Sequence, residues 1–479
     1  MNNLPSFLGS PRKTEISRKV FSDLQLDTLL SDAARKILSA PCEKKDILLR
    51  QEFFSYVLND EDLARIKEVI SLLNSYRVAF DTYDVSKMQG EKYYLFVRLL
   101  ESFLSVCEGM ESLRHMGEMG KRIYDRFTDD DMVSLRTKMA QSIRNSKIVL
   151  KKVSTSVLTY GETPQLTKFN APSTFFEEAV SIFSKFELEP IKNRRTVIKQ
   201  HQTFSDASVE LFGAEFFRLN AMLNSYTSLN FRSLFPYIRE LNFYCEMRDF
   251  YLQMVKRGIP YVFPEISDKK SFFTKDLYDI SLVTKECEHI ITNDTWFDSE
   301  SPFFFLTGAN GGGKTTYLRS IAINMILSLG GMPIFAKEGE VYPFSSVYTH
   351  FPKDERFAST GRLHEELTRT KAILAECDND AFILFNETFS GTDDKKGYEL
   401  LLETANEIKE RDIGGLYVTH FHEIQDTSFP ILGVSVDKSD ENRRTFKITR
   451  RNYEKNSYAF DILKKYGLDA DSLLERSRS

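Results

Sequence analysis

One run, TGANGGGKTTYLRS from Thr307 to Ser320, constrains this chain more than any other. Gly308 to Thr315 is a complete G-x-x-x-x-G-K-[ST] pattern. The apolar run Pro302–Leu306 precedes it, and apolar residues follow at 317, 318, 321, 322, 325, 326 and 329. The spacing predicts a strand, a glycine loop and a helix, the setting in which such a loop cradles phosphates. Glycines are needed because the backbone passes too close for a Cβ and takes positive φ. Loop N–H groups and the helix start then face the anion. Lys314 can reach β- and γ-phosphates, and Thr315 can offer its hydroxyl to Mg²⁺.

Two further apolar strands complete the pattern. Phe382–Phe385 ends in Asn386-Glu387, and Leu416–Thr419 ends in His420. An ATPase of this kind needs acidic groups at the end of a second strand, usually an Asp toward Mg²⁺ and a Glu toward the attacking water. Asn386 stands at the first position. Its amide oxygen accepts a hydrogen bond from a metal-bound water but brings no charge, so Mg²⁺ would lean on Thr315 and the phosphates. Glu387 is placed to act as general base. His420 can bond the γ-phosphate or the attacking water.

The chain changes texture near Gly258-Ile259-Pro260. At 479 residues it has room for about two to four domains. Residues 1–257 read as all-α, poor in Gly and Pro, and residues 258–479 as α/β with a mainly parallel sheet flanked by helices. Apolar residues at helical spacing mark Glu61–Phe80, Tyr93–Met116, Phe175–Phe186, Val209–Tyr226 and Leu234–Cys245, with Pro236 as a kink or boundary. Tyr261–Phe263 reads as a further strand. Within the helical half, Lys147–Tyr160 reads as β-rich and basic, and a second basic cluster follows at Lys192, Arg194, Arg195 and Lys199. Lys147, Lys151, Lys152, Lys192, Arg194 and Arg195 are candidates for a small clamp near 145–200 that contacts DNA phosphates. Solvated surface charge is the other reading of the same residues.

Net charge is −5, which lacks the global basic footprint of a dedicated nucleic-acid binder. The five cysteines are scattered and form no C-x-x-C pair, as free thiols in a reducing compartment would be. Met1–Lys13 has no apolar secretion core, and Asn324, Gly330, Gly331 and Pro333 break the longest apolar stretch, Ile321–Ala336. A cytoplasmic protein with no membrane span is expected.

TGANGGGKTTYLRS, ILFNETFSGT and VTHFHEI, in that order and spacing, resemble the ATPase domain of MutS-type DNA mismatch-repair proteins. That family's usual forms are TGPNMGGKSTYLRQ, a strand ending in Asp-Glu followed by GRGTS, and ATHYHEL. The likeness is strong over about 260–470 and weaker through the helical half, 1–257, which looks like the family's core and lever domain, and Lys455–Ala459 is similar to the family's segment before its terminal helices. NETFSGT with GRLHEEL upstream resembles a compact bacterial MutS-like branch. The resemblance implies that Gly308, Asn310, Gly311, Gly312, Gly313, Lys314, Thr315 and Thr316 hold ATP and Mg²⁺. It implies Glu387 as catalytic base and His420 as switch residue, with Thr315 and Asn386 on the metal side. Ile290 and Asn293 fall where the family holds adenine. Ser359-Thr360-Gly361 and Ser390-Gly391-Thr392 fall where it meets a partner subunit, which implies a homodimer closed partly by a C-terminal segment.

The chain also departs from the family. Asn386 removes a metal carboxylate, Ile290 replaces a stacking aromatic, and the segment at Ser359 lacks a Phe and is two residues longer. ATP binding with slow hydrolysis is the expectation. No Phe-x-Glu wedge occurs near the N-terminus, so mismatch reading is not expected. The implied function is an ATP-dependent dimer switch that binds double-stranded or branched DNA. A nucleotide-switched scaffold for a protein partner is the alternative. A chromosome-maintenance ATPase fits less well, because Leu-Ser-Gly-Gly-Gln and long heptads are lacking.

Overall fold

A computed structural model describes residues 4–86, 89–154, 156–159, 165–168, 212–285, 290–351, 359–390, 394–436 and 444–450. Helices dominate the first half: α1 (Arg18–Asp23), α2 (Asp32–Leu38), α3 (Lys44–Val57), α4 (Asp60–Val85), α5 (Gln89–Glu111), α6 (Gly117–Thr128) and α7 (Asp130–Ser154). A hairpin of β1 (Ser156–Thr159) and β2 (Gln165–Lys168) follows, then α8 (Gly213–Asn224) and α9 (Phe235–Lys256). The chain separates into two compact units, residues 1–7 with 56–242 and residues 8–55 with 243–479.

In the first unit α4 is capped by Asn59, whose side chain accepts from the N–H groups of Glu61 and Asp62. Its buried stripe is Leu63, Ile66, Val69, Leu73, Tyr76 and Phe80, the spacing of one helix face. That face meets α5, where a Cβ on Gly109 would come within 2.8 Å of Leu72 Cδ1. Tyr76 packs at a tilt beside Phe103, ring centroids 6.2 Å apart, and donates its hydroxyl to Phe231 O at 2.6 Å. Two expectations are corrected here. Lys147–Val153 is not a strand but the last turns of α7, because the buried stripe Met139, Ile143, Ser146 and Leu150 continues at helical spacing and overrides the β-propensity of Ile148 and Val149. Helix α5 ends at Glu111 rather than running to Met116. Pro236 sits in the first turn of α9, where its missing N–H costs nothing, so it marks a boundary and not a kink. Phe175–Phe186 lies outside the described residues.

The second unit is α/β. A six-stranded sheet has the order β12-β11-β6-β10-β9-β8, with β6 (Phe303–Thr307), β8 (Val347–His350), β9 (Phe382–Asn386), β10 (Gly414–Val418), β11 (Ile431–Val436) and β12 (Arg444–Arg450). All neighbours from β11 to β8 are parallel, and β12 closes one edge antiparallel. Strands β6, β9 and β10 are buried at every residue, as central strands covered on both faces must be. A four-stranded sheet holds β3 (Glu265–Ile266), β4 (Phe272–Leu277), β5 (Asn293–Phe297) and β7 (Glu338–Val341). Tyr261–Phe263 forms no strand of its own; Val262 makes an isolated bridge to Ile334. Helices α10 (Lys314–Leu329), α11 (Ser359–Glu376) and α12 (Asp394–Glu410) connect the sheet strands.

The second unit takes in residues 8–55 as well, and α10 supplies the reason. Every residue from Tyr317 to Leu329 is buried, so the helix needs cover all round. Residues 8–55 provide part of it. Cys42 N–H donates to Leu329 O at 3.0 Å, and the buried Arg50 guanidinium caps the helix end at Gly330 O (3.0 Å) while also holding Leu8 O. No helix among the described residues is long and apolar enough to cross a membrane. Among the described residues, Cys42, Cys107, Cys245 and Cys377 form no disulfide.

Candidate functional site

Sheet register gathers the predicted residues at one edge. Val418 on β10 pairs with Leu306 on β6 and with Asn386 on β9, so the three strands end in step. The residues that follow them, Gly308, Glu387 and His420, therefore emerge together at the carboxyl end of a parallel sheet, where open α/β folds bind ligands. Two backbone bonds fix the exits: Thr419 N–H to Leu306 O at 3.0 Å, and Glu387 N–H to Val418 O at 2.9 Å.

The Gly308–Thr315 loop bridges β6 and α10. Gly308 has φ of +130°, and a Cβ there would come within 2.9 Å of Val434 Cγ2. Gly313 caps the helix at φ of +94°, a conformation that costs a side-chain-bearing residue energy. The Lys314 ammonium is folded into the loop, donating to Gly308 O (2.7 Å), Ala309 O (3.2 Å) and Asn310 Oδ1 (3.3 Å). It also stands 3.9 Å from Glu387 Oε1. Thr315 Oγ1 donates to Asn386 Oδ1 at 3.3 Å. Loop N–H groups, a cation and this oxygen pair are the donor set that a nucleotide triphosphate with Mg²⁺ requires, so the residues present fit both groups.

Glu387 Oε1 lies 2.7 Å from His420 Nε2. The His420 hydrogen bond and charge, with Lys314 behind them, hold the Glu387 carboxyl below its ordinary range, while partial burial opposes them. Glu387 is therefore ionised and aimed into the site. It also has φ of +52°, and Phe389 two residues on has +67°. Each such non-glycine conformation costs on the order of 1–3 kcal/mol, so the surroundings must hold this turn in place. They do so from three elements. Thr388 Oγ1 meets His350 Nδ1 on β8 at 3.0 Å, Thr388 O accepts from Tyr417 Oη on β10 at 2.9 Å, and Phe389 N–H donates to Glu366 Oε2 on α11 at 2.9 Å.

Other predicted residues fall elsewhere. Asn293 on β5 commits its side-chain amide to the sheet edge, donating to Phe446 O (3.0 Å) and accepting from Ile448 N–H (2.8 Å). Ile290 is half-buried ahead of it, and Thr316 is half-buried on the first turn of α10. Ser359, Thr360 and Gly361 are the first residues of α11. Ser390 closes the turn after β9 through its N–H to Glu387 O (3.3 Å); Gly391 and Thr392 lie outside the described residues. Lys147 and Lys151 are exposed on α7, Lys147 paired with Glu101 at 2.5 Å, and Lys152 follows in the same helix. Lys192, Arg194 and Arg195 lie outside the described residues.

Sequence reasoning missed Glu366, His350, Thr388 and Phe446. Glu366 had a signal: it shares the inner stripe of α11 with Leu363, Leu367 and Thr370, a carboxylate where an apolar residue belongs. Phe446 had none. Its ring is 42% exposed, its φ is +55°, and a Cβ on Gly313 would lie 3.4 Å from its Cδ1.

Comparison with known proteins agrees with this arrangement. Residues 304–475 match the family model for MutS domain V. Curated relatives named endonuclease MutS2 include one from Streptococcus suis (strain 05ZYH33), 27% identical over 227 residues, which is 46% of this chain and 28% of that protein. One from Lactococcus lactis subsp. lactis (strain IL1403) is 30% identical over 142 residues, 29% of this chain and 18% of that protein. One from Streptococcus equi subsp. equi (strain 4047) is 27% identical over 210 residues, 43% and 26% of the respective chains. The matched stretches thus span less than a third of the length of each of these relatives. With the glycine loop, Glu387 and His420 meeting at one sheet edge and domain V matched over 304–475, this part of the chain is similar to MutS-type proteins.

Proposed function

We propose that this chain binds ATP with Mg²⁺ at the Gly308–Thr315 loop, hydrolyses it slowly, and uses the nucleotide state as a homodimer to control binding to double-stranded or branched DNA. The observation that carries the reading is the cluster of Lys314, Glu387 and His420, with Glu387 Oε1 2.7 Å from His420 Nε2 and 3.9 Å from Lys314 Nζ. An ionised carboxylate beside a phosphate-binding loop is what general-base activation of water needs. Triphosphate binding draws the Lys314 ammonium from the loop carbonyls to the phosphate oxygens. Glu387 takes the proton of the attacking water, and His420 keeps that carboxylate ionised and oriented. Thr315 and Asn386 would hold Mg²⁺, which would supply neutralisation of the phosphate charge. The uncharged Asn386 makes slow turnover the expectation. Phe446, exposed beside Gly313, offers the base a stacking face that Ile290 lacks.

The homodimer follows from the family resemblance of Ser359–Gly361 and Ser390–Thr392. DNA is favoured as partner by the family and by the basic residues from Lys147 onward. The endonuclease activity in the relatives' name is not carried over, because this chain matches 28% or less of those proteins. The test is a titration of duplex and branched DNA with and without ATP across salt. Binding that weakens steeply with salt and changes with ATP supports the reading. Absence of binding at about 50 mM salt would turn the proposal toward a nucleotide-switched scaffold for a protein partner.

A further inference from the structure

We propose that Glu366 is a positioning residue for Glu387, and that through it helix α11 sets whether the base is in place. The inference rests on the reading of Glu387 as general base and adds a control to that site. Glu387 and Phe389 both sit at positive φ, so the turn holds its shape only while its polar groups are engaged. Phe389 is fully buried, and its N–H points to the Glu366 carboxylate, itself only 8% exposed. A buried N–H that loses its acceptor must find another, and rotating the Phe389 peptide to do so moves Glu387.

Geometry makes Glu366 the variable member of the clamp. The other two, His350 on β8 and Tyr417 on β10, belong to strands locked by sheet register to β9. Glu366 belongs to a helix that no ladder ties to β9; α11 meets β8 through the Arg369 side chain, which donates to Thr349 O and Phe351 O. That helix begins at Ser359, the segment expected to face a second subunit. A small displacement of α11 withdraws the acceptor from Phe389 and releases the carboxylate aimed by Glu387. The base is then in place only when α11 is seated, which ties hydrolysis to whatever engages the start of α11.

The test compares Glu366→Met, which keeps volume without an acceptor, with Glu366→Gln, whose amide oxygen can still accept from Phe389. Both are measured in the full chain for ATP affinity by calorimetry and for kcat and KM of hydrolysis. Glu387→Gln serves as control. Glu366→Met should lower kcat by about 10- to 100-fold, the cost of a misplaced catalytic group, with ATP affinity unchanged within about threefold. Glu366→Gln should recover most of the rate. Wild-type turnover in Glu366→Met, or equal damage in Gln and Met, overturns the inference. Should Glu366→Met not fold, Glu366→Asp, which shortens the reach while keeping the charge, carries the same prediction. Wild-type turnover in Glu387→Gln instead removes the general-base reading itself, so the two failures are distinct.

Discussion

His420 Nε2 stands 2.7 Å from Glu387 Oε1, and this hydrogen bond is the largest cause holding the Glu387 carboxyl below its ordinary range. This carboxylate is therefore ionised at neutral pH and below. Glu387→Gln keeps the size and the hydrogen-bonding oxygen but cannot accept the proton. It should bind ATP as the wild type does and hydrolyse it about 10²- to 10⁴-fold more slowly. Calorimetry with ATP and a phosphate-release assay on the same sample separate the two quantities. Unchanged phosphate release would remove Glu387 from the mechanism.

The same pair fixes a pH dependence. A carboxylate whose folded pKa is lowered stays ionised above that value, so turnover should be full there and fall only as pH drops through it. The acid limb of kcat then lies below the ordinary glutamate range of about 4.3. Replacing His420 with Asn removes both the hydrogen bond and the imidazole charge, leaving Lys314 as the remaining lowering influence. The limb of the slower variant should move to higher pH. An acid limb at the same pH in both proteins would show that His420 does not tune the base.

Lys314 is 4% exposed and turned inward on Gly308 O, Ala309 O and Asn310 Oδ1. Its charge is already desolvated and needs only to exchange carbonyls for phosphate oxygens. Lys314→Ala should abolish measurable ATP binding in a calorimetric titration while leaving the melting temperature within a few degrees, since the loop backbone keeps its own bonds. Retained affinity would mean that the nucleotide binds elsewhere.

If the Phe446 ring carries the base, its removal should be felt by ATP and not by inorganic triphosphate. Aromatic–base stacking is worth about 1–3 kcal/mol, so Phe446→Ala should weaken ATP at least fivefold and leave triphosphate affinity unchanged. Equal losses for both ligands would instead assign Phe446 to supporting the loop at Gly313.

The legible parts of this protein were those set by short-range pattern. Strands β6, β9 and β10 announced themselves as continuous apolar runs because both faces are covered, and the glycine loop because only one backbone path suits it. The illegible parts depend on long-range packing. Residues 8–55 read as one more stretch of the helical half, yet Arg50 and Cys42 finish α10 from nearly three hundred residues away in sequence, a pairing no local pattern records. Lys147–Val153 looked like a strand because Ile148 and Val149 prefer one, and the buried stripe of α7 outweighs them. Asn293 reads as an adenine-side residue, and only side-chain geometry reveals that its amide holds β12.

His350 offers a test of the fold around the base. Burial, then the charges of Arg369 and Lys19, push its imidazole down to about 3 from 6.5, so it stays neutral in the folded protein while the unfolded chain takes up a proton. The sign follows directly. Above about pH 6.5 the residue costs nothing. As pH falls toward about 3 the unfolded state gains a proton that the folded state refuses, and stability erodes by about 1.4 kcal/mol per pH unit. Between about pH 7 and about pH 5 that amounts to about 2 kcal/mol. His350→Gln removes the titration, although it perturbs the hydrogen bond to Thr388 at every pH. Urea unfolding at the two pH values should therefore show the wild type losing about 2 kcal/mol more than the variant on acidification. Equal losses would mean that His350 is protonated in the folded state and that the floor beneath the Glu387 turn is wetter than this packing allows.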